Sequence, residues 1–463
     1  MKVNRAFEVE LLLTKTNASD QAKAHERYCS TFTLPDPYMS KTTLRQLNHI
    51  VFAVLCIPDR GTMLSIARWT ERGGSYRTIQ RWYHTPLDWA MILWTIVQVY
   101  LLKPDGEYLL AGDEVVINKA GNKTHGRGRF YSSLAQRPIN SVSFMAVSLI
   151  DVPARQSYPL QVEQREPPVP VEKPTEPPPK RKRGRPKGSK NHVKPTPQLT
   201  PDLTLLQSMI RGILARIAPL TVKHIVLDGH FGNYPATYAV RETGLHIISK
   251  MRHDAALYLP YAGPKPRRGP MPRYGDKLNY AHLPANALCH SVIEDDYCVD
   301  TYHMQVFHKS FSEALTVVVV VKTHLETGKR GHVVLFSTDL DLTADQIVDY
   351  YSLRFQIEFH FRDGKQYWGL DDFMNVKSVA VTNAVNLAFL MVSLSAVMLK
   401  PYRADQPDFS VLDLKAQFRA RRYLDETIKM LPDPPGDDLI FRIWRRLSAL
   451  SGIRVRPLDR FAA

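Results

Sequence analysis

The sequence predicts an α/β protein built around a single sheet, with a helical region before it and a β-rich stretch inside it. Three observations carry this. Apolar residues from Thr42 to Leu102 recur at helical spacing. Short apolar runs rich in Val and Ile follow at 107–118, 141–151 and 158–166, and again at 222–227, 246–250, 314–322 and 332–337. Amphipathic segments at 203–217 and 235–242, and another starting near Thr343, stand between or after the later runs, as helices covering a sheet do.

At 463 residues the chain has room for two to four domains and a large core. Hydrophobic content of 44% is globular, and a net charge of +16 points to a polyanionic partner. Four scattered cysteines (Cys29, Cys56, Cys289, Cys298) argue against a disulfide framework and fit a reducing compartment. Cys289, Cys298 and His303 lack the paired spacing of a zinc site. No signal peptide is read in MKVNRAFEVE. The longest apolar runs, 89–102 and 386–399, are near 14 residues. A membrane span needs about 20, so both read as buried helices and no membrane partner is expected.

Residues 1–40 look irregular, with one candidate helix. Thr43–Cys56, Thr62–Thr70, Ser75–Tyr83 and Leu87–Leu102 follow as helices. The second and third, joined by Arg72-Gly73-Gly74, fit two readings equally: a helical hairpin packed on a core, or a helix-turn-helix. In the latter, Ser75 caps the second helix and Arg77, Gln80 and Arg81 face a DNA groove.

Glu107–Asn118 is an apolar strand carrying Asp113 and Glu114. A carboxylate there is costly unless paired or bound to a cation, or unless it lies on an edge facing water. The Gly- and cation-rich loop Lys119–Ser133 suits phosphate contact, and two more strands follow. Pro167–Pro201 is a Pro-rich linker with too little apolar surface for a core. It holds KRKRGRPKGSKN, in which Arg183, Gly184, Arg185 and Pro186 resemble an AT-hook. Such a thin cationic segment fits a narrow A/T minor groove, against the plainer reading of a solvated basic run. Removing the linker's eight cations still leaves about +8 on the rest.

The strand 222–227 ends in Asp228-Gly229-His230-Phe231-Gly232. An isolated Asp-Gly is usually a turn, but this one sits at the C-terminal end of a buried strand with a helix following, where sites of open α/β sheets lie. Lys250 and Arg252 leave the next strand as candidate DNA-facing cations. Residues 253–313 are rich in Pro and Tyr and hold no Trp.

The densest chemistry lies in Tyr351–Leu370, YSLRFQIEFHFRDGKQYWGL, on a helix that Thr343 can cap. On an unbroken helix Tyr351, Arg354, Glu358 and Lys365 fall at about 0°, 300°, 340° and 320°, a single narrow stripe. A carboxylate between cations, with a phenol nearby, suits a phosphodiester and a bound metal. The plainer alternative is a solvated Arg/Glu pair at i, i+4. Phe355, Phe359, Tyr367 and Trp368 surround the stripe and suggest that much of the helix is buried.

The spacing Tyr-x2-Arg-x3-Glu-x6-Lys, with the lead-in FSTDLDLTADQIVDYY, resembles the signature of bacterial insertion-sequence transposases of the insertion-sequence-four family. VLDGHFGNYPA resembles that family's second-Asp motif, and 42–399 follows its outline. The resemblance implies an RNase H-like catalytic core with a helical N-terminal domain and a β-rich insertion. It implies metal ligation by Asp113, Asp228 and Glu358, with Glu114 as the competitor for the first place. It implies DNA-phosphate contacts from Tyr351, Arg354 and Lys365, and tips the N-terminal hairpin toward DNA binding. Hard carboxylate oxygens suit Mg²⁺, two ions about 4 Å apart, with Mn²⁺ as an accepted substitute. The partner is double-stranded DNA, both element ends and target, with a homodimer in the DNA complex and a cytoplasmic, nucleoid-associated location. The absence of Trp from 253–313 leaves a hairpin route in doubt.

The expected organisation is a helical DNA-binding domain (1–103), a core in three pieces (104–166, 202–252, 314–400), the linker (167–201), the insertion (253–313) and a basic C-terminal region (401–463). Two other functions fit the same residues: a non-catalytic architectural protein derived from a transposase, and an RNase H-like nuclease that cuts without joining.

Overall fold

The structure is a computed structural model that describes residues 7–12, 29–34, 39–70, 75–103, 105–133, 135–167, 196–218, 220–433 and 435–453. Arg183, Gly184, Arg185 and Pro186 lie outside the described residues.

The N-terminal stretch read as irregular contains two strands, β1 (Phe7–Leu12) and β2 (Cys29–Leu34), paired antiparallel. Four helices follow. α1 (Lys41–Cys56) is capped by Ser40 and α2 (Met63–Trp69) by Thr62. α3 (Tyr76–Tyr83) has Ser75 at its N-cap position, but the expected side-chain cap bond is not made. α4 (Trp89–Ile96) starts on Asp88 and loosens into a π turn at Val97–Leu101.

The central sheet begins with β3 (Tyr108–Asn118), β4 (Gly128–Ser132), β5 (Arg137–Asp151) and β6 (Gln156–Gln164). After α5 (Pro201–Arg216) come β7 (His224–Leu227), α6 (Tyr234–Arg241) and β8 (His246–Met251). β3 and β5 are antiparallel, as are β5 and β6, while β7 runs parallel to β3 and β8 parallel to β7. The order β6-β5-β3-β7-β8, with a parallel right half, is the RNase H-like arrangement.

The β-rich stretch does not form a separate sheet. β9 (Leu257–Pro260), β10 (Tyr274–Lys277), β11 (Leu288–Glu294), β12 (Tyr297–His308), β13 (Ala314–His324) and β14 (Arg330–Ser337) extend the same one, joined through antiparallel pairing of β14 with β8. The result is a twelve-stranded mixed sheet. The run VVVVV in β13 is buried on both faces except at Val320, which is why it lacks polar alternation.

Alternate residues of β3 serve two faces. Leu109 and Ala111 pack toward α7 (Ala344–Leu353), and Val115 and Ile117 join the cluster containing Ile357 of α8 (Gln356–Tyr367). Leu110 packs with α5 residues on the other side. α9 (Ser378–Asp405) is longer than the 14-residue run suggested. By length and composition it could cross a membrane, yet 83% of its most apolar window is buried within the protein. Its Asn383 accepts a bond from Trp89 Nε1 (2.7 Å) and donates to the carbonyls of Tyr83 (2.9 Å) and Thr85 (2.8 Å), tying the helical region to the core. α10 (Val411–Lys429) packs on α1, and α11 (Asp437–Ser451) packs on α10. Arg421 and Arg422, read as part of a basic tail, pair with Asp425 and Glu426.

Candidate active site

The helix expected from Thr343 is interrupted where it carries Arg354. Thr343 forms a full capping box with Gln346, but α7 ends at Leu353 and α8 begins at Gln356. Across the joint the backbone bonds are of the tighter i→i+3 kind: Arg354 N to Tyr351 O, Phe355 N to Ser352 O, Ile357 N to Arg354 O and Glu358 N to Phe355 O, all 3.1–3.2 Å. The four predicted side chains therefore do not lie on one regular helical stripe. The joint also leaves Phe355 51% exposed, against the expectation that the aromatics there are buried.

His360 fixes α8 on the sheet. Its Nε2 donates to Ser157 O (2.8 Å), leaving Nδ1 to accept from Ser148 Oγ (3.3 Å). Burial pushes its pKa down to about 4, so the ring is neutral. Neither His360 nor its serine partners stood out in the sequence; a lone His among aromatics carries no signal until its neighbours on β5 and β6 are known.

Asp113 and Asp228 are brought together by register. β3 pairs with β7 as Leu110 with Ile225, Ala111 with Val226 and Gly112 with Leu227. One further step sets Asp113 beside Asp228, where β7 gives way to a 3₁₀ turn at Gly229–Phe231. Asp228 Oδ1 accepts from His230 N (3.1 Å), and its carbonyl accepts from Ser249 Oγ (2.7 Å). Gly232 is required here, since a Cβ on it would lie 2.1 Å from the Lys250 carbonyl.

Glu358 reaches Asp113 through Arg354. One terminal guanidinium nitrogen donates to Asp113 Oδ2 (2.6 Å) and the other to Glu358 Oε1 (2.7 Å). The Arg354 side chain is only 15% exposed, and its Nε has no acceptor among the described residues. Burial pushes the Asp113 carboxyl up to about 6 despite the pull of Arg354, and the charges of Asp228 and Glu358 add to the rise. Asp113 thus lies within the field of both other carboxylates. Burial also raises the Tyr351 phenol, which sits in the field of Arg354, Asp228 and Asp113.

Glu114 points the other way, as strand alternation requires. It pairs with Arg165 and accepts from Ser143 Oγ (2.6 Å). Arg165 also holds Asp202 in a two-pronged bridge, with Nε 2.9 Å from Oδ1. Neither Arg165 nor Asp202 was predicted.

The other sequence-selected polar residues take separate positions. Lys365 donates to Val116 O (3.1 Å), close along β3 from Asp113, and lies 3.8 Å from Asp371. Lys250 is exposed beside the Asp228 loop, and exposed Arg252 is paired with Asp254 (3.0 Å). Arg77, Gln80 and Arg81 are all exposed on α3, while Ile79, Trp82 and Tyr83 pack inward. Lys119 turns inward and donates to Asp371 O (3.0 Å) and Phe373 O (2.8 Å), so it is not a free contact of the glycine-rich loop; Lys123 is exposed there.

The donor set is all carboxylate oxygen, which fits a hard divalent cation. Asp113's raised proton affinity comes first from burial, which Arg354 only partly offsets. As folded, however, a guanidinium spans the gap, and no group of three or more His, Cys, Asp or Glu is gathered tightly enough to hold a metal among the described residues.

No curated protein matches the chain. The model of the family described as DDE superfamily endonuclease matches residues 33–304, more than half of the chain. The match spans Asp113 and Asp228 and stops short of Glu358. With the mixed sheet and the β3–β7 register, this places the protein among the DDE superfamily endonucleases.

Proposed function

We propose that the protein is a DNA transposase of the insertion-sequence-four type, which binds the ends of a mobile element and cuts and rejoins DNA strands. The observation that carries this reading is the Arg354 bridge between Asp113 and Glu358, at the point where register sets Asp228 beside Asp113. A half-buried acidic centre of this kind, with Lys250, Lys365 and Tyr351 nearby on a chain of net charge +16, suits a phosphodiester substrate.

Asp113, Asp228 and Glu358 would hold two Mg²⁺ ions, or Mn²⁺ in their place. Bound there, the ions would lower the pKa of an attacking hydroxyl and neutralise the leaving oxyanion. The protein's own part is mainly positioning. His360 holds α8 on the sheet and the β3–β7 register sets Asp113 beside Asp228, so the backbone bearing the carboxylates is positioned in advance. Asp113 must shed its proton to act as a ligand, which it does above about pH 6. Tyr351, Arg354 and Lys365 would hold phosphate oxygens beside the scissile bond. Water serves as nucleophile for nicking, and the freed 3′-hydroxyl for joining. Residues 1–103 would bind element ends through the exposed face of α3, and joining two ends requires two copies on the DNA.

The test is strand transfer. A labelled duplex carrying a precut end, its sequence taken from inverted repeats flanking the gene, is incubated with a target plasmid and Mg²⁺. The expected result is joined product with the parent and none with Glu358→Ala, which still binds DNA. Cutting without joining would favour a plain endonuclease, the activity the family's description names. Binding without either reaction would favour the architectural reading.

A further inference from the structure

Arg354 occupies the space that a cation shared by Asp113 and Glu358 would need. Each of its terminal nitrogens is committed to a different carboxylate, at 2.6 and 2.7 Å, rather than both to one. No other acidic residue pairs with it among the described residues, and its Nε has no acceptor there. A second positive charge placed against the same oxygens would be repelled by the guanidinium and would have to share lone pairs already in use. The guanidinium also supplies what holds these side chains together, since without it three like charges would face one another in a partly dry space.

We propose that Arg354 is a stand-in cation: it keeps Asp113 and Glu358 together until DNA arrives, then turns to a phosphate and vacates the place a divalent ion takes. This rests on the reading of Asp113 and Glu358 as metal ligands. A phosphate offers the guanidinium the same two-oxygen acceptor that the carboxylates now provide, so the exchange conserves its bonding. Arg354 sits on the i→i+3 joint between α7 and α8, the one place in this segment where the helix is not regular. Mid-helix 3₁₀ steps of this kind often mark hinges. Arg354 is thus a positioning residue whose two sets of partners exclude each other. By linkage, DNA must then tighten metal binding, and metal must tighten DNA binding by the same factor.

The experiment is a Mn²⁺ titration of the full-length protein, read from the electron paramagnetic resonance signal of free Mn²⁺, without and with a saturating linear duplex. Mn²⁺ held by the duplex alone is subtracted. The parent is expected to bind Mn²⁺ at least about tenfold more tightly with DNA. Arg354→Gln is expected to bind it tightly without DNA, with the DNA dependence reduced to near unity. Arg354→Lys, which keeps a charge but cannot span both carboxylates, is expected to fall between. Asp113→Asn is expected to lose the site under both conditions. Equal Mn²⁺ affinity with and without DNA in the parent overturns the proposal, whether or not the Gln variant folds. So does an Arg354→Gln that binds Mn²⁺ no better than the parent while Asp113→Asn abolishes binding; the ligand assignment then survives. If Asp113→Asn and Glu358→Gln both leave Mn²⁺ binding intact, the ligand assignment itself fails.

Discussion

Asp113→Asn is expected to stabilise the fold at neutral pH. In the folded protein, burial pushes the carboxyl up to about 6 from the ordinary 3.8 of an aspartate. A carboxylate whose folded pKa is raised contributes stability that is fully present below its unfolded pKa and is lost as pH climbs through the folded one. The window here is therefore about pH 4 to 6, and above it the ionised side chain weighs against folding. About two pKa units at about 1.4 kcal/mol each come to roughly 3 kcal/mol. An asparagine sheds that burden and keeps its one oxygen for Arg354 Nη1; its amide nitrogen then meets the Glu114 N–H from which Asp113 Oδ1 now accepts, which offsets part of the gain. The opposing effect is the stranding of a buried cation, which costs about 3–5 kcal/mol when the last partner goes. Arg354 is not stranded, because Glu358 still holds it at 2.7 Å. Urea unfolding followed by tryptophan emission, with chelator present, should show parent and variant alike near pH 4. The variant should gain up to about 3 kcal/mol by pH 7.5. A variant less stable than the parent at pH 7.5, or a difference that does not change with pH, would refute the reasoning.

Three further outcomes are expected. Asn383→Leu strips three bonds from Trp89, Tyr83 and Thr85, each leaving a buried group unpaired at about 1–3 kcal/mol; a loss under about 1 kcal/mol in the same unfolding assay would show that Asn383 does not tie the helical region to the core. Gly232→Ala drives a Cβ to 2.1 Å from the Lys250 carbonyl, so the loop bearing Asp228 must move. Strand-transfer rate should fall by more than the drop in stability explains, and a fully active variant would mean that the loop's position is not critical. Arg77→Ala and Arg81→Ala should each lower the slope of log affinity against log salt by about 0.9, the mark of one lost phosphate contact on duplex DNA. Unchanged slopes would leave the α3 face a solvated surface.

The fold was legible because its signals are local. Thr343 before an amphipathic run and unbroken valines in β13 each announce their element without knowledge of neighbours; the start of α5 was read two residues late, because Pro201 was counted with the Pro-rich linker. The same holds for Asp228 at the end of a buried strand. What stayed hidden depends on pairing at a distance. The i→i+3 joint at Arg354 leaves no trace in apolar periodicity, because Arg and Phe are acceptable in either kind of helix. The capture of Asp113 by Arg354 joins residues 241 positions apart. β1 and β2 were missed although Phe7-Glu8-Val9-Glu10-Leu11 alternates apolar and polar residues; the strands are six residues each and their pairing joins residues as distant as Phe7 and Leu34. That the insertion strands β9–β12 continue the core sheet was also invisible, since strand order is decided by which edge each strand reaches.

Asp113 and Glu114 are consecutive, yet they are harnessed to different parts of the molecule. The first faces the carboxylate centre; the second holds Arg165, which grips Asp202. Arg165 directly follows β6 and Asp202 lies in the first turn of α5, so this one guanidinium joins the end of a strand, the start of a helix and the far side of β3. Substituting Arg165 would release the back of the strand on which Asp113 is mounted.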